Sequence, residues 1–236
     1  MGIGQMKAYC VILAGGVGSR MGAEIPKQFL LIRGEPIIVH TMRQIMKCCG
    51  FEKIVVAIHP DWESRFRQMM IDGRIDVNRV LVTFGGKERH DSISNALKAI
   101  HAYAEVGEID VAVICDAVRP FVSVEVLEDS IRTAAKDGAC VATLPAVDTM
   151  LEVENGIVRS VPPRARLFHG QAPDSARILL LEHAIDSLTE EERKTITGTA
   201  QILVTKGIPV KSIHGDPHNF KITTPSDIEI AERYLV

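Results

Sequence analysis

Short runs of apolar and β-branched residues alternate along this chain with longer stretches of helical periodicity. The short runs predict strands at Ala8–Ala14, Lys53–His59, Val80–Phe84, Val111–Cys115, Cys140–Pro145 and Val210–Ile213. Helices are predicted near Ile37–Lys47, Pro60–Met70, Ser92–Glu105, Val124–Asp137 and Pro225–Tyr234. Such alternation is typical of βαβ units, so the sequence predicts an α/β fold with a mostly parallel sheet flanked by helices.

The length of 236 residues, of which 46% are hydrophobic and 24% charged, predicts one globular domain over residues 1–236. No apolar stretch approaches the roughly 18 residues that span a bilayer. Met1–Met6 lacks the features of a signal peptide and is interpreted as an added or frayed end. Five cysteines without a C-x-x-C pair indicate a reducing compartment, so we expect a cytoplasmic protein. The net charge of −3 gives no electrostatic reason to expect nucleic acid or a membrane as a partner.

One segment, residues 146–169, interrupts the alternation, and we call it the arm. It is predicted to form a strand pair with its turn at Glu154-Asn155-Gly156, and its second half is rich in arginine. Because two strands cannot bury a core alone, we expect the arm to project and to pack on a second subunit.

The most informative segment directly follows the first predicted strand, where open α/β sheets bind their ligands. It reads L-A-G-G-V-G-S-R-M-G from Leu13 and continues as P-K-Q-F from Pro26. Its glycines, Gly15, Gly16 and Gly18, allow backbone N–H groups to approach an anion closely. Its cations, Arg20 and Lys27, add positive charge to the same loop, so the segment predicts a phosphate-binding loop.

Two common phosphate-binding loops do not fit this segment. A dinucleotide fingerprint is excluded because Met21 stands where the third glycine belongs, and a Walker A loop is excluded because no Gly-Lys-Ser/Thr follows. A nucleotide-dependent oxidoreductase is further disfavoured because the second strand, which runs into Ile58-His59-Pro60, does not end in an acidic residue.

The loop resembles the signature of the nucleotidyltransferases that activate sugar and polyol phosphates. It is most similar to that of the cytidylyltransferases acting on 2-C-methyl-D-erythritol 4-phosphate and on D-ribitol 5-phosphate. Three further segments resemble motifs of this family in order: G-G-K-E-R-H-D-S from Gly85, D-A-V-R-P from Asp116, and N-F-K-I-T-T-P from Asn219, completed by Asp227. The matches extend from Lys7 to Val236. The resemblance implies a Rossmann-like fold of the nucleotide-diphospho-sugar transferase kind, and an activity that joins CTP to a polyol phosphate with Mg²⁺ and releases pyrophosphate.

The resemblance also implies roles for individual residues. The implied catalytic residues are Arg20, Lys27 and Lys221. The implied nucleotide-binding residues are Ala14, Gly15, Gly16, Gly18, Gly85, Arg89, Ser92 and Ala117. The implied acceptor-binding residues are Asp116, Arg119, Thr149, Arg164 and Thr197, with Asp116 also as the metal ligand. Because Thr149 and Arg164 lie on the arm, the resemblance implies a homodimer in which each arm reaches the acceptor of the neighbouring subunit.

The residue types leave alternatives open at some of these positions. Asp116 ends an apolar strand beside the glycine loop, where its carboxylate can hold Mg²⁺ or polyol hydroxyls. Asp116 and Arg119 could instead form an ion pair at the start of a helix. Ser92 is equally suited to cap a helix. Lys221 stands in an apolar stretch and needs a partner such as a phosphate, unless its charge reaches solvent.

The sequence departs from the family at positions near the implied acceptor. Q-A-P-D from Gln171 replaces the family's Q-T-P-Q, so Ala172 and Asp174 differ, and Gly198 replaces the aspartate of a T-D pair. Because sites that hydrogen-bond a hydroxyl discriminate strongly, these changes affect acceptor identity more than nucleotide identity.

Residues 116–121 and 188–193 resemble the ribitol phosphate enzymes, so the sequence slightly favours a D-ribitol 5-phosphate type of acceptor. The alternative acceptor is 2-C-methyl-D-erythritol 4-phosphate. An alternative of another class is a non-catalytic sensor of CTP or a polyol phosphate, which the retained set of Arg20, Lys27, Asp116 and Lys221 disfavours.

Overall fold

The computed structural model describes residues 6–16 and 25–235, and these form a seven-stranded sheet with helices on both faces. The strands are β1 (Ala8–Ala14), β2 (Leu31–Ile32), β3 (Glu35–Pro36), β4 (Lys53–Ile58), β5 (Val80–Phe84), β6 (Val111–Asp116), β7 (Ala139–Pro145), β8 (Glu152–Glu154), β9 (Ile157–Ser160), β10 (Phe168–Arg177) and β11 (Lys211–His214). The helices are α1 (Ile37–Met46), α2 (Glu63–Asp72), α3 (Arg89–Tyr103), α4 (Val124–Asp137), α5 (Ile178–Asp186), α6 (Glu190–Thr195), α7 (Thr199–Thr205) and α8 (Pro225–Tyr234).

The main sheet has the strand order β11-β7-β10-β6-β1-β4-β5. Neighbouring strands pair in parallel except at β10, which is antiparallel to both β6 and β7. The predicted mostly parallel α/β fold is therefore confirmed. After β1 the chain continues through β4 and β5 on one side and returns through β6 on the other, so the strand order reverses between β1 and β6.

Strand β10 is the part of the sheet that the sequence pattern does not reveal. Polar residues are mixed irregularly with Phe168, Gly170, Pro173 and two alanines, and the register against β7 shifts between Gln171 and Asp174. Neither a period of two nor a continuous apolar run therefore marks it as a strand. The three helices after it, α5 to α7, are also absent from the sequence-based prediction, because they are short and follow one another without an intervening strand.

Two helices begin at residues other than those predicted. Helix α3 begins at Arg89 rather than Ser92, because the side chains of Glu88 and Asp91 form a reciprocal capping box three residues earlier. Helix α2 begins at Glu63 rather than Pro60, because residues 60–62 first form a short 3-10 helix. The shift in α3 places Arg89 in the first turn of the helix.

The core consists of two apolar layers, one on each face of the sheet. Side chains of β1 alternate between them: Cys10 and Ile12 pack with α1, α2 and α4, whereas Tyr9 and Val11 pack with α3, α5 and α7. A smaller cluster around Ile222 lies beneath α8. Strands buried on both faces in this way hold the loops at their ends in fixed positions.

The arm contains the hairpin β8–β9, whose turn residues Asn155 and Gly156 both have positive φ, as a two-residue hairpin turn requires. The hairpin pairs only with itself in the sheets of the described chain. The arm and its ends expose the large apolar side chains Val147, Met150, Leu151, Val153, Ile157, Val158, Val161 and Phe168.

Within the described residues, no helix has both the length and the apolar character needed to cross a membrane.

Candidate functional site

The candidate site lies where β1 and β6 end side by side. These two strands are parallel, and Leu13 pairs with Asp116 at their carboxyl ends. The strand order reverses between them, and in open α/β sheets the ligand-binding crevice lies outside the carboxyl ends at such a point. The topology therefore places Gly15 and Gly16, which directly follow β1, beside the Asp116 carboxylate.

A first cavity of about 270 Å³ opens at this point. Among its lining residues are Ala14, Gly15, Gly16, Lys27, Arg89, Ser92, Asp116, Ala117 and Lys221, all predicted as site residues from the sequence. Two other predicted residues, Gly18 and Arg20, lie outside the described residues. The cavity is also lined by Gln28 and Lys87, which the sequence-based reasoning does not single out.

Two glycines pack closely beside the first cavity: Gly15 lines it, and Gly85 contacts Gly15. A Cβ atom on Gly15 would lie 3.2 Å from the Cα atom of Gly85, and a Cβ atom on Gly85 would lie 3.1 Å from the Cα atom of Gly15. These distances are shorter than ordinary carbon contacts, so a larger residue at either position would push the two loops apart. Gly85 thus supports the loop after β1 from below.

Ser92 holds the loop between β5 and α3. Its hydroxyl accepts a hydrogen bond from the Gly86 N–H at 3.0 Å and donates one to the Glu88 carbonyl at 3.2 Å. The suggestion that Ser92 caps the helix is therefore wrong: Glu88 is the N-cap, and Ser92 lies in the second turn. The Ser92 hydroxyl instead fixes a loop that faces the cavity.

Gln28 holds the start of the loop after β1 through hydrogen bonds from its side chain. Its amide nitrogen donates to the carbonyls of Ala14 at 2.7 Å and Gly16 at 3.1 Å. The side chain is almost entirely buried, with 3% of the residue exposed. A buried glutamine directly after Lys27 thus anchors both ends of the described part of the loop. The sequence offers one signal for this role: Gln28 directly precedes the apolar run 29–32, and an amide buried with such a run needs hydrogen-bond partners.

Asp116 is the centre of a cluster of charges on the cavity wall. Its carboxylate lies 3.2 Å from Arg89 Nη1, 3.1 Å from Arg119 Nε and 3.1 Å from Lys221 Nζ. Burial alone would raise the pKa of Asp116, but the charges of Arg89, Lys221 and Arg119 outweigh burial and hold the pKa well below its usual value. Asp116 is therefore ionised at neutral pH, and the three cations still leave a net positive charge. We call these four residues the charge cluster.

The segment that carries Lys221 is fixed to the end of β6 and to β10. Arg119 Nη1 donates to the Asn219 carbonyl at 2.5 Å, and the Ile222 N–H donates to the Val118 carbonyl at 3.0 Å. The fully buried Asn219 side chain donates to the Ala172 carbonyl at 2.7 Å. These bonds explain how a residue more than 100 positions from Asp116 reaches its carboxylate.

A second cavity, of about 230 Å³, lies on the other side of the charge cluster. It is lined by Arg89, Asp116, Arg119, Val141, Gly170, Gln171, Ala172, Asp174, Thr197, Gly198 and Lys221. The predicted acceptor-binding residues Asp116, Arg119 and Thr197 therefore come together here, and so do the three positions at which the sequence departs from the family, Ala172, Asp174 and Gly198.

The other two predicted acceptor-binding residues lie on the arm, away from both cavities of their own chain. Thr149 is exposed, and Arg164 donates to the Val147 carbonyl at 2.6 Å within the arm. Their predicted contact is with a neighbouring subunit, so it stays a prediction.

The charge cluster bears on the predicted metal role of Asp116. The carboxylate oxygens of Asp116 face three cations, and within residues 6–16 and 25–235 no three His, Cys, Asp or Glu side chains form a group that could hold a metal ion. The protein donors present fit a divalent ion only if most of its ligands come from elsewhere, such as phosphate oxygens and water.

A family model described as IspD, 2-C-methyl-D-erythritol 4-phosphate cytidylyltransferase, matches residues 8–236. The fold is also similar to solved structures. The Francisella tularensis 2-C-methyl-D-erythritol 4-phosphate cytidylyltransferase is 28% identical with a TM-score of 0.79, and the alignment covers 98% of this chain and 100% of that one. The enzyme of the same name from Thermus thermophilus is 26% identical with a TM-score of 0.74, covering 97% and 98%. A 4-diphosphocytidyl-2C-methyl-D-erythritol synthase from Anaerococcus prevotii, 23% identical over 98% and 96% with a TM-score of 0.80, shares the fold.

Proposed function

The chain belongs to the IspD family of cytidylyltransferases, and from this premise we propose that it transfers the CMP group of CTP to 2-C-methyl-D-erythritol 4-phosphate and releases pyrophosphate. The observation that carries the proposal is the convergence of Lys27, Arg89 and Lys221 with Asp116 around one cavity at the reversal of strand order. A cavity with an excess of fixed cations is suited to a triphosphate.

The proposed reaction is an in-line displacement at the α-phosphorus of CTP. A phosphate oxygen of the acceptor forms a new bond to the α-phosphorus, and the bond from that phosphorus to the oxygen bridging the α and β phosphates breaks. Pyrophosphate leaves with the electron pair. The attacking phosphate is already ionised at neutral pH, so no protein base is required. Catalysis consists of positioning the reactants and neutralising negative charge.

The residues of the first cavity divide the work by their positions. Lys27, which lines the first cavity, neutralises the CTP phosphates. The same role is proposed from the sequence for Arg20, which lies outside the described residues. Lys221 lies between the two cavities and lines both, so it neutralises the charge that accumulates where the acceptor phosphate meets the α-phosphate. The Asp116 carboxylate keeps Lys221 in this position before substrate arrives.

The base of CTP is assigned to the glycine-rich floor of the first cavity. Gly15 and Gly86 line the cavity there, and the Ser92 hydroxyl holds the Gly86 backbone in place. A Cβ atom on Gly15 would crowd Gly85, and one on Gly86 would crowd Asp91. Without side chains the two loops pack closely and offer their backbone to a flat ring, which supports this assignment.

The family uses a divalent metal ion, and we propose that this ion is Mg²⁺. When bound with CTP, it supplies charge neutralisation on the departing pyrophosphate. The phosphates would provide most of its ligands, since Mg²⁺ in nucleotide sites commonly keeps several waters and takes one or two carboxylates. Among the described residues, Asp116 is the carboxylate that we assign to this ion, and Arg89, Arg119 and Lys221 compete with the ion for its oxygens.

The choice of acceptor reverses the preference drawn from the sequence. Residues 116–121 and 188–193 favour a ribitol phosphate, but the family description and the relatives above 25% identity name 2-C-methyl-D-erythritol 4-phosphate. A match over residues 8–236 weighs more than two short segments. The branched methyl group of this acceptor is also compatible with the small residues Val141, Ala172 and Gly198 in the second cavity.

We propose that the arm joins two copies of the chain. Its exposed apolar side chains form a surface that two strands cannot bury within one chain. Replacing Val158 and Val153 on the hairpin with lysine should therefore yield monomers by light scattering, whereas lysine at the exposed Ile71 on α2 should leave the assembly intact. A wild-type protein that is monomeric at micromolar concentration would refute the dimer.

The proposed compartment is the cytoplasm. The cysteines of the described chain are free, and Cys10, Cys48, Cys115 and Cys140 are buried as small apolar side chains, which suits a reducing compartment.

The test of the function is a pyrophosphate-release assay with CTP, Mg²⁺ and each of the two polyol phosphates. We expect turnover with 2-C-methyl-D-erythritol 4-phosphate, and little with UTP, GTP or ATP in place of CTP. Faster turnover with D-ribitol 5-phosphate would overturn the proposed acceptor. Tight binding of CTP without release of pyrophosphate from any acceptor would instead favour a sensor.

A further inference from the structure

The second cavity contains one carboxylate outside the charge cluster, that of Asp174. Asp174 stands on β10, directly after the irregularity in its pairing with β7, and pairs there with Val141 on β7 and Ile114 on β6. The register shift lies between Gln171 and Asp174, so Ala172 and Pro173 have no partner on β7, and regular pairing resumes at Asp174. A bulge of this kind next to a ligand site commonly redirects a side chain.

Asp174 is only loosely held by a cation. Its Oδ2 atom lies 3.7 Å from Arg89 Nη2, which is beyond hydrogen-bond distance, whereas Nη1 of the same guanidinium lies 3.2 Å from Asp116. The side chain of Asp174 is 13% exposed. Burial and the neighbouring Asp116 raise its pKa, although the charge of Arg89 opposes the rise. An additional hydrogen-bond donor would stabilise the ionised form of a carboxylate in such surroundings.

The other polar side chains on this wall of the second cavity are already engaged. The Gln171 amide donates to the Asp216 carbonyl at 3.0 Å and accepts from the Asp216 N–H at 3.1 Å. The Thr197 hydroxyl donates to the side chain of Gln201 at 3.2 Å. Ala172 and Gly198 offer no polar side-chain atom. On this wall, therefore, the Asp174 carboxylate is the side-chain group that can accept a hydrogen bond from a hydroxyl entering the cavity.

We propose that Asp174 is a specificity-determining residue for the acceptor, and that its carboxylate accepts a hydrogen bond from a hydroxyl of the polyol held in the second cavity. This inference rests on the proposed function, because it assigns the second cavity to the acceptor. An ionised carboxylate only accepts hydrogen bonds, so it selects hydroxyl donors and disfavours a methyl group at the same point. The ligand class is a phosphorylated polyol that directs one hydroxyl towards β10.

The test compares Asp174→Asn and Asp174→Gln with wild type, at saturating CTP, on 2-C-methyl-D-erythritol 4-phosphate and D-ribitol 5-phosphate. The ratio of kcat/KM between the two acceptors should change by about tenfold or more, as expected when one hydrogen bond to a charged group is lost. The KM for CTP should change by less than about twofold. Asp186→Asn, which alters an exposed carboxylate at the end of α5, is the matched control.

A structural role for Asp174 would instead lower kcat/KM equally for both acceptors, and an unchanged ratio overturns the inference. Calorimetric binding of the same two polyol phosphates to wild type and to the two variants, without turnover, tests Asp174 even if the protein proves inactive. An inactive protein would refute the proposed function. Equal affinities of wild type and variants for each polyol phosphate would, independently of activity, refute the role of Asp174 in acceptor specificity.

Discussion

Replacing Asp116 with asparagine should destabilise the ligand-free protein and at the same time strengthen its binding of pyrophosphate. The Asp116 side chain is 10% exposed and faces three cations within 3.2 Å. Asparagine has nearly the same volume as aspartate but carries no charge. Its NH₂ group is a hydrogen-bond donor, and it would face the N–H donors of the surrounding cations. The three cations would then lie close together, and the longer contact of 3.7 Å between Arg89 and Asp174 would be the ion pair left to them among the described residues.

The size of the destabilisation follows from the burial of the partners. Removing one member of a buried ion pair costs roughly 3–5 kcal/mol. The side chains of Arg119 and Arg89 are 11% and 22% exposed, but that of Lys221 is 38% exposed, so solvent screens part of its repulsion. We therefore expect Asp116→Asn to lower the free energy of unfolding by about 2–4 kcal/mol.

The assay is urea unfolding at fixed protein concentration, followed by the fluorescence of Trp62, which is the single tryptophan of the chain and packs on Phe29 in the core. Adding pyrophosphate should raise the stability of the variant more than that of wild type, by on the order of 1 kcal/mol at low salt, because the site has gained one unit of positive charge. Asp61→Asn, in which the side chain replaced is 82% exposed, is the control.

The pH dependence of this difference has a defined sign. The pKa of Asp116 is lowered in the folded protein, so as pH falls below the ordinary value of 3.8 the unfolded chain takes up the proton first. The stability that Asp116 contributes is therefore fully present at neutral pH and is lost only below about pH 4. Equal stability of wild type and Asp116→Asn at pH 7, within about 0.5 kcal/mol, with equal effects of pyrophosphate, would refute the role of Asp116 as the counterion of the cluster.

Three further predictions concern neighbouring residues. Lys27→Ala should reduce kcat/KM for CTP by roughly 10²-fold or more, as for removal of one preorganised donor, and leave the urea midpoint nearly unchanged; unaltered turnover would contradict its role. Asp174→Asn should be more stable than wild type at pH 7, because a raised pKa means that the ionised form opposes folding, and this advantage should vanish below about pH 4; a loss of stability at pH 7 would contradict it. Gly85→Ala should weaken CTP binding by forcing Gly15 away, which calorimetry measures, whereas Gly170→Ala, in open space, should not.

The sequence predicts the parallel part of the fold well, because its strands are buried on both faces and therefore appear as continuous apolar runs. Strand β6 is an example, with every residue buried. It predicts β10 poorly for the opposite reason. The second half of this strand contains polar residues that are buried because β6 and β7 pair with it on both sides. The bulge after Gln171 and the approach of Asp174 to Arg89 leave no recognisable pattern in the neighbouring sequence.

The same distinction applies to the site. The glycine loop, Asp116 and Lys221 carry motif-level signals, and the structure brings the described members of this group to one cavity. The position of Arg89 depends on a helix that begins three residues earlier than predicted, and its contacts reach two carboxylates on different strands. Pairings between residues distant in sequence are fixed by packing, so no motif could have revealed that Arg89 faces both cavities.

This shared placement has a consequence for how the two substrates are bound. Arg89, Asp116 and Lys221 line both cavities, so the charges that receive CTP are also the charges that receive the acceptor. A first substrate that brings phosphate oxygens to Lys221 offers it a partner other than Asp116, and the Asp116 carboxylate then becomes available for a hydroxyl or a metal ion. Binding of one substrate should therefore prepare the groups that bind the other, which links the affinities of the two substrates by the same factor in both directions. Asp116→Asn removes the exchangeable partner, so the linkage should be reduced in this variant, beyond any effect on the affinity for either substrate alone.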